Sequence, residues 1–342
     1  MTSLDLRRTF PLPLLLVLAF LLGGIAPAVL AAPKAPPEDP ALADGIQLIR
    51  DQKWKDAEKW FWKFLKEHPD HAEAMRKYGF VELRRPGGDA VRAREFLEKA
   101  DRREPGNPVG MFLLAKAYEA TGEWKLARET YDRLIELGPG KDDPVRAGAV
   151  HLARFNRALI AIRDQDWETA EKLLDVVLRR DPRHAYAWYE KAGIAAARGD
   201  TEKALELYRK TREMLNRWAP SEAWTYPQSR YSYIRENTAL ELAKLYLAKG
   251  DAAKAEEVLR PVVDLVRLRA KAGRQQTDTS PRTPLQGEAD RRFENAPYWY
   301  AKALIALGKK KEAKKLLKEF SRMKLGDPEL RDEARQLYRK VR

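Results

Sequence analysis

The chain has 342 residues, and 65 Lys and Arg against 51 Asp and Glu give it a formal charge of +14 at neutral pH. With 44% hydrophobic residues it can fill a core, which sets it apart from disordered chains, and its length alone allows about two domains of ~150 residues. It has no cysteine, which excludes disulfides, thiolate metal sites, a cysteine nucleophile and a lipidated cysteine, and its four histidines leave little for imidazole chemistry.

The first segment reads as an export signal. Arg7 and Arg8 precede an apolar run at 14–22, which Gly23 and Gly24 break, and small residues follow through Ala32. A basic end, a short apolar core and a small-residue region in that order mark a secretory signal. Val29-Leu30-Ala31 places cleavage after Ala31, with Ala26-Pro27-Ala28 as a second candidate. An uncleaved anchor is the competing reading, because 11–33 is 23 residues without a charge, although Pro11, Pro13, Gly23, Gly24 and Pro27 interrupt it as a helix. Arginines before the run and none after it orient the N-terminus inside, so both readings put the remainder outside the cytoplasmic membrane, in the periplasm or cell envelope. Arg7-Arg8-Thr9-Phe10 is similar to part of a twin-arginine signal, but the strongly apolar core favours the general secretory route.

From residue 38 onward the chain repeats itself. Two stretches, from Asn107 and from Asp181, align without gaps: a small residue (Ala115, Ala192), Gly seven later (Gly122, Gly199), Ala five beyond (Ala127, Ala204) and an aromatic four further on (Tyr131, Tyr208). Pro follows the second alanine by twelve residues at Ala57–Pro69, Ala93–Pro105, Ala127–Pro139 and Ala170–Pro182. Taking that alanine as an anchor gives seven units in chain order, at Ala57, Ala93, Ala127, Ala170, Ala204, Ala255 and Ala313. The small residues twelve upstream are Gly45, Ala115, Ala158, Ala192, Ala243 and Ala301; in the second unit Gly79 lies 14 upstream, because the turn at 85–88 adds two residues.

This pattern resembles the tetratricopeptide repeat, a 34-residue helix–turn–helix in which small residues let two helices approach and proline stops the second. The resemblance implies an all-α fold, an α-α superhelical solenoid of about seven helix–turn–helix units and a C-terminal capping helix. The units fall near 38–71, 72–107, 108–141, 151–184, 185–218, 236–269 and 294–327. A signal at 1–31 and a linker at 32–37 precede them, a mobile insertion at about 270–293 interrupts them, and a helix at 328–342 closes the chain. The fourth unit carries a lengthened first helix around 144–164. Asn216, Arg267 and Leu325 replace the terminal prolines of the last three units, whose second helices are expected to run longer.

Motifs for chemistry are missing. Gly138-Pro139-Gly140-Lys141 is half a phosphate loop with no Ser or Thr after it and reads as a helix-ending turn. His68 and His71 straddle Pro69, which argues for turn histidines rather than metal ligands. No catalytic residue, metal site or cofactor is assigned, and a non-catalytic assembly or accessory factor of the envelope is expected, with an accessory subunit of an envelope enzyme as an alternative. Trp54, Trp124 and Trp167 each precede their anchor alanine by three, which makes them packing residues, and Trp188 takes the early first-helix position. Trp60 and Trp62 flank Phe61, so one or both should be partly exposed. Trp218, Trp224, Tyr226, Tyr231 and Tyr233 form a last aromatic cluster, for packing or for binding.

In such arrays the first helices of the units make the binding surface. The expected stripe runs Leu42, Ile46 and Ile49; Arg76, Phe80 and Leu83; Phe112, Lys116 and Glu119; Phe155, Leu159 and Ile162; Tyr186 and Tyr189; Leu240, Lys244 and Leu247; then Tyr298, Lys302 and Ile305, with Arg50, Arg84 and Arg163 beside it. Its aromatics serve either binding or packing between units. An apolar groove with basic edges suits an amphipathic or acidic peptide of a partner protein. The carboxylate clamp of the chaperone-tail members is not matched, since Leu42, Ile46 and Val109 stand at its Lys and Asn positions. Residues 308–342 carry 13 basic and 6 acidic residues, half of the whole surplus. Lys309, Lys310, Lys311, Lys314 and Lys315 therefore offer a second reading, a basic patch for an anionic wall polymer or lipid surface, against the plainer one of a solvated capping helix. Nucleic acid fits the charge but not the expected compartment, and no small-molecule substrate is evident.

Overall fold

The computed structural model describes residues 39–217, 233–272 and 291–341. Among the described residues there are fifteen α-helices and no strand. In chain order they are α1 (Ala43–Arg50), α2 (Trp54–Glu67), α3 (Ala72–Arg84), α4 (Ala90–Arg103), α5 (Pro108–Thr121), α6 (Trp124–Glu136), α7 (Pro144–Arg163) and α8 (Trp167–Arg180). Then come α9 (Ala185–Ala197), α10 (Thr201–Arg217), α11 (Ile234–Ala248), α12 (Ala252–Ala272), α13 (Ala296–Ala306), α14 (Lys310–Phe320) and α15 (Pro328–Lys340). They form two compact units, 39–157 and 158–341, the division falling inside α7.

Within each unit the helices pack as antiparallel pairs: α1 with α2, α3 with α4 and α5 with α6 in the first, α9 with α10, α11 with α12 and α13 with α14 in the second. All seven anchor alanines are fully buried, and four residues on from each stands a large buried side chain: Phe61, Leu97, Tyr131, Leu174, Tyr208, Leu259 and Leu317. A methyl group at the crossing point lets the backbones approach, and the residue one turn later fills the space left beside it. Where the partner position is glycine the approach is closer still. A Cβ at Gly79 would stand 2.6 Å from Leu97 Cγ, and one at Gly45 would stand 2.8 Å from Phe61 Cζ.

Helix ends follow the sequence. Trp54, Trp124 and Trp167 are the first residues of α2, α6 and α8. The Pro69, Pro105, Pro139 and Pro182 turns each follow a helix end, and Gly138 lies in a turn where Arg146 Nε donates to its carbonyl at 2.8 Å. Asp89, Asn107, Asp166 and Asp327 cap α4, α5, α8 and α15 by accepting backbone N–H bonds at 3.0, 2.8, 3.1 and 2.9 Å. The fourth unit's first helix runs 20 residues, as its longer interval requires.

Two expectations need correction. Without a terminal proline α10 and α12 do run long, but α14 stops at Phe320, where the chain turns through Ser321 and a left-handed Gly326 into the Asp327-Pro328 start of α15. The insertion expected at 270–293 is also shorter at both ends. α12 continues to Ala272, and Phe293 is fully buried, its N–H donating to Asn237 Oδ1 at 2.8 Å. The remainder of that insertion, the export signal at 1–31, and Trp218, Trp224, Tyr226 and Tyr231 lie outside the described residues.

Candidate protein-binding site

The aromatic half of the expected stripe is spent inside the fold. Phe80, Phe112, Phe155, Tyr186, Tyr189 and Tyr298 are all buried. Phe80 meets Trp54 edge-on at 6.1 Å, Phe112 lies 6.0 Å from Tyr131, and Tyr189 meets Tyr208 at 5.6 Å. The Tyr189 hydroxyl accepts from Arg292 at 2.7 Å, and the Tyr298 hydroxyl donates to Glu333 at 2.6 Å. Leu42, Ile46, Ile49 and Leu83 are buried as well. Side chains at this register pack inside their own hairpin, as Phe112 and Tyr189 do, or against the neighbouring one, as Phe80 does, so the stripe is first of all core. Tyr233 is half-buried, tilted against Phe293 at 4.6 Å under the Arg269 guanidinium.

The polar members of the stripe differ from one another. Arg76 is paired with Glu104 at 2.6 Å. Lys116 is paired with Glu119 and reaches Asn156 Oδ1 at 3.4 Å, while the other Glu119 oxygen accepts from the Tyr131 hydroxyl at 2.6 Å. Arg50 is exposed, and Arg163 contacts Asp164 at 3.1 Å. Arg84 stands apart. Its side chain is partly covered at the end of α3, and desolvation holds its pKa below that of a free arginine. Among the described residues its one neighbour of electrostatic consequence is the Trp54 ring, 6.0 Å from the guanidinium carbon, and it makes no ion pair or hydrogen bond there. A desolvated cation without a counter-ion is costly, because attraction to a ring face recovers only part of the lost hydration. Such a group is a ready receptor for a carboxylate.

The basic patch expected at the end of the chain divides in the same way. Lys309 donates to both oxygens of Glu256, at 2.9 and 2.8 Å, and Arg260 joins the same carboxylate at 2.8 Å. Lys310, Lys311 and Lys315 are exposed on α14, and Lys314 lies 5.6 Å from the Tyr338 ring. The second unit also has an open cavity of about 310 Å³ between α10, α11 and α12, with Leu215, Val258 and Val262 on its walls and Arg212, Arg235 and Glu236 at its rim. Burial pushes the Glu236 carboxyl up from its ordinary value.

Sequence reasoning missed one recurrent device. His71 and His184, read as turn or isolated histidines, are N-caps: the Ala74 N–H donates to His71 Nδ1 at 3.2 Å and the Ala187 N–H to His184 Nδ1 at 3.1 Å. Both lie 14 residues after their anchor alanine, where Asn107 caps α5 in the third unit, and that shared phase was the signal available in the sequence.

Family models described as tetratricopeptide repeat match residues 42–108 and 155–214, 87–148, and 237–261. The chain belongs to the tetratricopeptide repeat family. Among solved structures it is similar to a tetratricopeptide repeat protein from Parabacteroides merdae ATCC 43184, at 17% identity over 87% of this chain and 97% of that one, with a TM-score of 0.52. It is similar also to PilW, a type IV pilus biogenesis factor, at 16% identity over 68% and 93% with a TM-score of 0.49. MamA matches at 17% identity over 53% and 97%, with a TM-score of 0.45. At these identities the likeness is one of fold. Comparison with curated proteins gives no match. The tetratricopeptide repeat is a protein-interaction scaffold, and that is the class of function this fold supports.

Proposed function

We propose that the protein is a non-catalytic scaffold of the bacterial cell envelope that binds an acidic segment of a partner protein, with Arg84 as the anchoring group. The unpaired Arg84 guanidinium over Trp54 carries this reading. Every other cation of the first unit's stripe for which a contact is described already has an acidic neighbour in the chain, as Arg76 and Lys116 do. A carboxylate arriving at Arg84 would restore the hydrogen bonds that burial removed, while Trp54 offers apolar surface beside it. Arg7, Arg8, the apolar run at 14–22 and the Ala31 cleavage position support export to the envelope.

Two measurements test the proposal. Acidic peptides and their Asn/Gln counterparts are titrated against the full chain by fluorescence anisotropy. The acidic set is expected to bind more tightly, to weaken with salt, and to lose about tenfold or more on Arg84→Met, the scale of a charge-assisted bond. Equal binding by wild type and Arg84→Met refutes the assignment. Fractionation and N-terminal sequencing of the expressed protein test the compartment, with Ala32 the expected first residue; a cytoplasmic product retaining Met1 refutes export.

A further inference from the structure

The first hairpin carries a surface that neither the core nor the Arg84 site uses. On α2, residues 55, 59, 62, 63 and 66 fall within about 100° of helical arc. They are Lys55, Lys59, Trp62, Lys63 and Lys66, and all five are exposed. The opposite side of the same helix holds Ala57, Phe61 and Leu65, which are buried. None of the four lysines has an ion pair among the described residues, and Asp56, Glu58 and Glu67 lie only at the edges of the ribbon. Trp62 is 38% exposed, unusual for so large an apolar ring. It is held from behind by Tyr78 at 5.8 Å and Phe96 at 6.1 Å, and flanked by Lys66 and Arg92, each 5.6 Å from its ring.

We propose that this ribbon is a membrane-surface contact, which takes the anionic headgroups of a phospholipid bilayer on its lysines and seats Trp62 at the boundary between headgroups and acyl chains. Two features select a bilayer over an acidic protein. A row of lysines extended along one straight helix matches a laterally uniform negative surface, where each long side chain finds its own headgroup. An amphipathic tryptophan among the lysines is the pairing that bilayer interfaces favour. The exposed lysines of α14 have no tryptophan among them.

The test uses the full chain and vesicles of phosphatidylcholine alone or mixed with phosphatidylglycerol, so that the apolar N-terminal run is common to every arm. Wild type is expected to co-sediment more strongly with the phosphatidylglycerol vesicles and to lose that preference at high salt. A Lys59→Glu, Lys63→Glu and Lys66→Glu triple variant should reduce the preference by about 100-fold, at the usual contribution of each lysine near an anionic surface. The matched triple on α14, Lys310→Glu, Lys311→Glu and Lys315→Glu, should leave most of it. Quenching by bromine-labelled lipid should fall on Trp62→Phe, with circular dichroism as the check that the variant keeps the wild-type fold. Three results each overturn the proposal: no preference for phosphatidylglycerol by wild type, equal losses from the two triples, or lipid quenching unchanged by Trp62→Phe.

Discussion

Acidification should weaken the fold through His184, by an amount that can be worked out. The ring is 4% exposed, and its Nδ1 accepts the Ala187 N–H at 3.1 Å, which requires that nitrogen to be unprotonated. Burial lowers its pKa from 6.5 to about 4. Between those values the unfolded chain binds the proton and the folded chain does not. The stability contributed by neutral His184 is therefore complete above pH 6.5 and is lost as the pH falls toward 4. A shift of that size corresponds to about 3 kcal/mol, as an upper figure. The control is His184→Asn, which keeps an N-cap acceptor, as Asn107 provides in α5, but does not titrate. Urea denaturation followed by circular dichroism gives the stability of both proteins across the pH range, and the difference between them cancels all other titrating groups. Wild type should lose up to about 3 kcal/mol more than His184→Asn between pH 6.5 and 4. Parallel curves for the two proteins would refute the reasoning.

Three further outcomes are expected. Gly79→Ala should lower stability by about 1–3 kcal/mol in urea denaturation, because the new methyl group overlaps Leu97; a gain close to alanine's helix-propensity advantage would show that α3 and α4 separate freely. Glu256→Gln should lower the melting temperature at neutral pH by removing the negative charge, and one of the two acceptor oxygens, that Lys309 and Arg260 share. Its carboxyl is held below the ordinary value chiefly by the Lys309 hydrogen bond, so the deficit should fade as the pH falls through the carboxylate range, and a deficit constant with pH would refute it. Arg84→Met should leave thermal stability unchanged or raise it while weakening acidic-peptide binding, since it removes an uncompensated, partly desolvated charge; a loss of stability would make Arg84 a structural residue.

The repeat was legible because it rests on steric requirements that only a few residue types meet. Ala57 to Ala313 sit where two backbones nearly touch, and Trp54, Trp124 and Trp167 open the helices that follow the turn. What lines the binding face was not legible, because the spacing of Phe80, Phe112 and Tyr186 is the same whether a side chain faces a groove or the next hairpin. Burial decides between these, and burial depends on neighbours far away in sequence. The same applies to Lys309 and Arg84. Both read as free cations, and only the fold brings Glu256 to the first while leaving the second without a counter-ion. Phe293, in a stretch of otherwise polar composition, was hidden by its surroundings.

The phase of the caps bears on how these repeats can be cut and joined. His71, Asn107 and His184 each stand one residue before the helix they cap, and each is the last residue of the preceding repeat unit. A hairpin excised at its repeat boundary would start at Ala72, Pro108 or Ala185 and leave its own helix start without an acceptor. The energetic module is thus displaced by one residue from the sequence module. Duplications, deletions or chimaeras that respect the chemistry should be joined just before the cap, and the cap residue should travel with the helix that follows it.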